Sequence, residues 1–232
     1  ALAIAMSYFA SKVELSYEFS RAVPTDNPKY LAYQEFRKQF GEDGNLMVIG
    51  VQDKEFFTDA HFDRYKDLVH AIEKVAGVLN VLSVPTSIQL IKDTANGELT
   101  TATIPADSVA GTAADARDQF TNLPFYQGFL WNPQSEAYLM AVRIDKDILN
   151  SKNRAGVVKK ITDLGDAYGK QANLQVHYSG LPFIRTMMAT QVQNEMQLFL
   201  IISFVLTAII LALFFRSFMA VLASMLVVAV GV

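Results

Sequence analysis

The run Leu198–Phe215 is 18 residues long, apolar and free of charge, and it decides what this chain is able to fold into. A bilayer core is about 30 Å thick and a helix rises about 1.5 Å per residue, so roughly 20 apolar residues cross it. Met196 and Gln197 extend the run toward the headgroups. A buried core helix is the alternative, but such helices normally keep a polar face. This one carries only Ser203 and Thr207, spaced i, i+4, which suits helix–helix contact in lipid. A second apolar run, Phe218–Val232, has 15 residues and reads as the start of a third span, cut short. Arg216-Ser217 leaves room only for a tight turn, so antiparallel neighbours are expected, with Arg216 on the cytoplasmic side. Residues 1–9 lack the basic start and longer apolar stretch of a signal peptide. They read as the outer end of a first span.

These flanks predict four segments. Residues 1–9 end a first transmembrane helix, and 10–190 form an extramembrane domain with an insertion at about 94–124. Residues 191–215 form a second transmembrane helix, whose helical signals begin near 182, and 218–232 begin a third. The hydrophobic fraction is 51%, with the excess concentrated near the C-terminus, and the remainder is ordinary globular sequence. Net charge is −3 with no basic block, which argues against nucleic acid as a partner. There is no cysteine, so disulfides and cysteine metal sites are excluded.

Between the flanks, helix and strand signals alternate. Asn27 is a candidate N-cap with Pro28 in the first turn, and Gly41 supplies a stop. Leu46–Gln52 is a short buried-strand run. Phe62, Tyr65, Val69, Ile72 and Ala76 recur at helical spacing over 58–76. Val78–Val84 is a second strand, limited by Pro85. The Ala/Thr/Asp/Gly-rich stretch 94–124 reads as an excursion, helical around Asp107–Phe120 and otherwise loose. Two apolar runs about Asn132-Pro133 have the form of a β-hairpin. Ser151 caps a helix over 152–169, and Leu174–Gly180 is the last strand. The sum is α+β, a β-α-β-(insert)-β-α-β order of the ferredoxin-like, split type.

Three segments carry a family resemblance: "FSRAVPTDNPKYLAYQEFRKQFGEDGNLMVIGV", "PFYQGFLWNPQSEAYLMAVRID" and "FFRSFMA". By these the chain resembles the resistance-nodulation-division (RND) superfamily, in particular its hydrophobe/amphiphile efflux members of the mycobacterial-membrane-protein-large-like and hopanoid-exporter type. The resemblance implies a first periplasmic porter domain with its membrane linkage. It implies a bacterial inner-membrane, proton-driven exporter of lipid-like or other amphiphilic molecules, with residues 10–197 in the periplasm. The implied partners are the lipid bilayer, the amphiphilic substrate, the remaining transmembrane half of the same polypeptide, and homo-oligomer or periplasmic partners. Proton coupling in the family needs ionisable residues in later spans, and Leu198–Phe215 and Phe218–Val232 contain no Asp, Glu, Lys or His. An intramembrane charge is costly and usually functional, so the motor is expected outside this chain.

No catalytic motif is visible. His61 and His70 are too far apart for an i, i+4 ligand pair, no HExxH spacing occurs, and neither a metal nor a cofactor is expected. No GxSxG or P-loop appears. The acidic pairs Asp163/Asp166 and Asp145/Asp147 read as solvated surface. The chain is therefore expected not to be an enzyme. An aromatic and methionine group stands out instead: Phe125, Tyr126, Phe129 and Trp131 around the hairpin, and Phe183, Met187 and Met188 where the long helix starts. Such side chains suit an adaptable apolar substrate path, and plain core packing is the competing explanation. Two other function classes remain: a non-efflux RND-type protein (a protein-translocation accessory or sterol-sensing-like receptor), and a membrane-anchored periplasmic scaffold domain.

Overall fold

A computed structural model describes residues 24, 26–40, 44–92, 99–104, 112–215 and 218–231. The expected first-span end at 1–9, the Gly41 stop and the Arg216-Ser217 turn lie outside them. Contacts divide the chain into two units, residues 17–186 and a unit whose described part is 187–231.

In the first unit, α1 (Pro28–Phe40) is followed by β1 (Leu46–Gln52), α2 (Asp59–Glu73) and β2 (Val78–Leu82). Asn27 acts at the start of α1 as its sequence suggests, its Oδ1 accepting from Lys29 N at 2.9 Å. β3 (Ile88–Lys92) and β4 (Leu99–Thr103) form a separate two-stranded sheet, and α3 (Ala113–Thr121) follows. Then come β5 (Trp131–Asn132), β6 (Ala137–Ile144), the single turn α4 (Lys146–Leu149), α5 (Arg154–Ala172) and β7 (Val176–Ser179).

The main sheet runs β2-β6-β1-β7, with β5 paired to the start of β6. Every pairing is antiparallel. Each β-α-β passage therefore skips one strand: β6 lies between β1 and β2, and β1 lies between β6 and β7. The fold is α+β, and the four strands expected to share one sheet do so.

Register explains why. Met47 faces Val142, Ile49 faces Met140 and Val51 faces Tyr138. All six are buried. Alternation with period two sends these side chains to a single face, where Phe62, Tyr65, Val69 and Ile72 of α2 and Val158, Ile161 and Tyr168 of α5 close the core. Helices on one face of an antiparallel sheet are the economical way to bury both apolar surfaces.

Four details differ from the sequence reading. The stretch expected to be loose contains part of a β-hairpin, Ile88 pairing with Thr103 and Lys92 with Leu99; β-branched Thr and Ile favour a pleated surface even where the composition looks loop-like. The first arm of the other hairpin shrinks to Trp131–Asn132, because Pro124–Tyr126 forms a 3-10 turn and Gly128 takes φ +76°. β2 ends at Leu82, where Ser83 and Thr86 cap a 3-10 turn through Val84–Thr86. Ser151 does not cap α5: its hydroxyl donates to Ile148 O at 2.8 Å and accepts from Asn153 N at 3.1 Å, and the helix starts at Arg154.

Two buried tyrosines give the core an alkaline limit. The Tyr65 and Tyr168 hydroxyls are buried with no hydrogen-bond partner among the described residues. Burial pushes both phenols well above the ordinary tyrosine value, each reinforced by a neighbour: Tyr168 for Tyr65, Asp53 for Tyr168. The folded state holds the proton that the unfolded chain releases near pH 10. Stability from these groups is complete below about pH 10 and falls above it, by up to about 1.4 kcal/mol per pH unit for each tyrosine. In pH-dependent urea melts, Tyr65→Phe is expected to flatten this loss. At pH 7 it should leave stability equal or raise it by about 1 kcal/mol, because an unpartnered buried hydroxyl is removed.

α6 (Leu181–Phe215) is 35 residues long, and α7 (Phe218–Gly231) follows. Among the described residues α6 is the one helix long and apolar enough to cross a membrane. Its apolar side chains are exposed, Phe199 at 70% and Leu213 at 74%. That is the opposite of a soluble core helix and suits a lipid environment.

Candidate functional site

The seven residues singled out in the sequence fall in separate places. Phe125 and Tyr126 share the 3-10 turn. Phe125 is 79% exposed, its ring edge-on to Tyr126 at 5.2 Å. Tyr126 is buried, stacks on Phe120 at 5.5 Å, and clamps β3: its hydroxyl donates to Ile88 O at 2.8 Å and accepts from Ile88 N at 3.0 Å. Phe129 is exposed. Trp131 is half-buried, opposite Tyr138 in the β5–β6 pair and tilted against Phe120 at 6.2 Å. Tyr126 and Trp131 are thus brought together on Phe120, while Phe125 packs edge-on to Tyr126.

Phe183 is not in that group. It sits in the first turn of α6, half-buried and tilted on Tyr178 of β7 at 5.5 Å. From β5 to β7 the sheet takes three strand steps, roughly 14 Å. Met187 and Met188 lie further along α6, in the other unit, and are exposed.

Exposure separates function from packing here. Phe125→Ala and Phe129→Ala are each expected to change stability by less than about 0.5 kcal/mol, since an exposed ring loses little burial on truncation. Thermal melts of the two variants check this.

The loop between β1 and α2 holds a polar arrangement the sequence did not reveal. Asp53 is buried and follows β1 directly. Its Oδ2 lies 2.7 Å from His61 Nδ1, its Oδ1 accepts from Glu55 N at 2.9 Å, and its backbone N donates to Glu136 O at 3.1 Å. His61 Nε2 lies 4.0 Å from a Glu55 oxygen. His61, on α2, thus ties Asp53 to that helix, and the Asp53 backbone ties the loop to the β5–β6 turn. On α2, Asp59 Oδ1 accepts from Ala113 N at 3.0 Å and anchors the start of α3, which Thr112 and Asp115 cap reciprocally. Of the acidic pairs, Asp145 caps α4, Asp163 pairs with Lys159 at 2.7 Å, and Asp166 accepts from the Tyr178 hydroxyl at 2.7 Å.

These anchors border a cleft of about 430 Å³ between the β1–α2 loop, α3 and the β5–β6 turn. Phe57, Trp131 and Tyr138 supply its rings, and Lys54, Arg117 and Glu136 supply charge. Burial, with the Glu136 carboxylate adding, pushes the Tyr138 phenol up to about 12. Trp131 was legible as an aromatic beside a turn. Arg117 and Glu136 were not, because they come from elements that only the fold brings together.

The MMPL family model matches residues 22–232. No match emerges among curated proteins. The matched range takes in the α+β unit together with α6 and α7. The chain belongs to the MMPL family, a family of RND-type membrane transporters.

Proposed function

We propose that the chain forms the first periplasmic porter domain, and its membrane linkage, of a proton-driven exporter of lipid-like or other amphiphilic molecules in the bacterial inner membrane. The observation that carries the reading is the family match over an α+β unit of split β-α-β order that leads into α6. In this reading residues 10–197 are periplasmic. The ferredoxin-like unit is the porter domain, and residues 191–215 and 218–232 belong to the transmembrane part. Within the α+β unit the exposed Phe125 and Phe129, with Trp131, offer an amphiphile apolar contacts with few fixed hydrogen bonds, and Phe183, Met187 and Met188 offer separate ones along α6. The proton step falls to the remaining transmembrane half of the polypeptide, since the apolar runs here carry no acidic, lysine or histidine side chain.

The test is transport by the full-length protein in proteoliposomes with an imposed pH gradient, read by a fluorescent single-chain amphiphile. Movement that stops when an uncoupler collapses the gradient is expected. Movement unaffected by the uncoupler would contradict proton drive. No movement of any amphiphile across several headgroup classes would favour a receptor or scaffold role.

A further inference from the structure

We propose that the cleft beside Trp131 binds a zwitterionic headgroup, an anionic phosphate next to an ammonium group, carried on an apolar tail. The proposal rests on the exporter reading, because it names the class of cargo that the domain handles.

Size comes first. A cleft of about 430 Å³ accommodates a headgroup and the first few carbons of its tail, not a whole lipid.

Charge selects the class. Lys54 and Arg117 are cationic, and Glu55 and Glu136 are anionic. Among the described residues, Lys54, Arg117 and Glu136 form no ion pair with one another or with another residue. Glu55 lies near His61. Unpaired charges of both signs on one cleft are complementary to a ligand that carries both. A purely anionic ligand meets Glu136, a purely cationic one meets Arg117 and Lys54, and each is penalised by like charge.

The rings agree. Phe57 and Tyr138 stand edge to face at 5.7 Å and 87°. Aromatic faces favour an ammonium group and pack against methylenes. Trp131 lines the same cleft, and its indole N–H is buried without an acceptor among the described residues.

Trp131 is the chain's single tryptophan, so its fluorescence reports on this cleft alone. The chain is reconstituted in phosphatidylglycerol discs held by a tryptophan-free polymer and titrated with hexylphosphocholine, hexyl phosphate, hexyltrimethylammonium and hexanol. Hexylphosphocholine is expected to give a saturable change at least about fivefold tighter than the other three, as expected for one additional charge-assisted contact. Tail-free phosphocholine distinguishes a soluble ligand from a lipid headgroup. Weaker saturation supports the lipid source, and equal affinity overturns the tail requirement. Arg117→Gln and Glu136→Gln should each weaken hexylphosphocholine by about fivefold, and Glu136→Gln should at the same time tighten hexyl phosphate. Among the described residues neither is ion-paired, and unchanged melting of both variants verifies that they fold. Equal responses to all four ligands, or unchanged affinity in both variants, would overturn the site. Binding without transport in proteoliposomes would refute the exporter reading and leave the site standing. Transport without binding at the cleft would do the reverse.

Discussion

Replacing Gly180 with alanine or valine is expected to be among the most damaging single changes in the α+β unit. Gly180 joins β7 to α6 with φ +100°. A Cβ there would collide with the Leu46 carbonyl oxygen and lie 3.0 Å from Met47 Cα. These are backbone atoms of β1, the strand that pairs with β7, so neither is free to yield. The left-handed conformation costs a non-glycine residue roughly 1–2 kcal/mol, and relieving the collision separates two paired strands, for a total of roughly 3 kcal/mol or more. That is a large part of the 5–15 kcal/mol that typically holds a domain together. Gly128 is the internal control. It also has positive φ, +76°, but nothing within 4 Å of its Cβ position, so Gly128→Ala should cost only about 1 kcal/mol. Urea midpoints read by Trp131 fluorescence compare the two, and a Gly180→Ala midpoint no lower than that of Gly128→Ala would refute this account of the junction.

Phe56→Ala is expected to cost as much, by a different route. Phe56 is fully buried, stacked on Tyr138 at 3.8 Å and 11°, and edge-on to Tyr65 at 4.8 Å. It joins the end of β1 to β6 and α2. Truncation leaves a cavity among rings that are themselves fixed, and phenylalanine-to-alanine changes in such cores cost about 3–5 kcal/mol. Phe57, adjacent in sequence, is only half-buried and packs at the core's margin. Phe57→Ala should cost clearly less. Equal losses in the two variants would mean that the core is not centred where the structure puts it.

Legibility in the sequence followed periodicity. β1 and β6 could be read because each is a compact apolar run, and the stripe Phe62, Tyr65, Val69, Ile72 announced α2. The hairpin β3–β4 was missed because Thr100, Thr101 and Thr103 resemble a polar excursion in composition, while their β-branching supports pleated pairing. The apolar stretch from Tyr126 to Trp131 misled in the other direction. It has a strand's composition, but Gly128 and the turn at Pro124–Tyr126 fold it back, and Tyr126 is held by Ile88. Candidate-site residues were visible only as bulky side chains. Nothing in the sequence distinguishes buried Tyr126 from exposed Phe125, because one turn sends adjacent rings to opposite environments. The charged partners at the cleft, Lys54, Arg117 and Glu136, span 82 residues of sequence from 54 to 136, and the pairing of β1 with β6, the Asp53–Glu136 backbone bond and the Asp59–Ala113 contact bring their elements together.

The proposed topology puts the α+β unit outside the cytoplasm and residues 216–217 inside. The chain has no cysteine, so single cysteines label against a clean background. Lys160→Cys places a thiol at an exposed position on α5, and Ser217→Cys places one between the two apolar runs. In intact spheroplasts expressing the protein, an impermeant maleimide is predicted to label the cysteine at 160 and to reach the one at 217 only after the membrane is opened. Labelling of 217 and protection of 160 in intact spheroplasts would contradict the account.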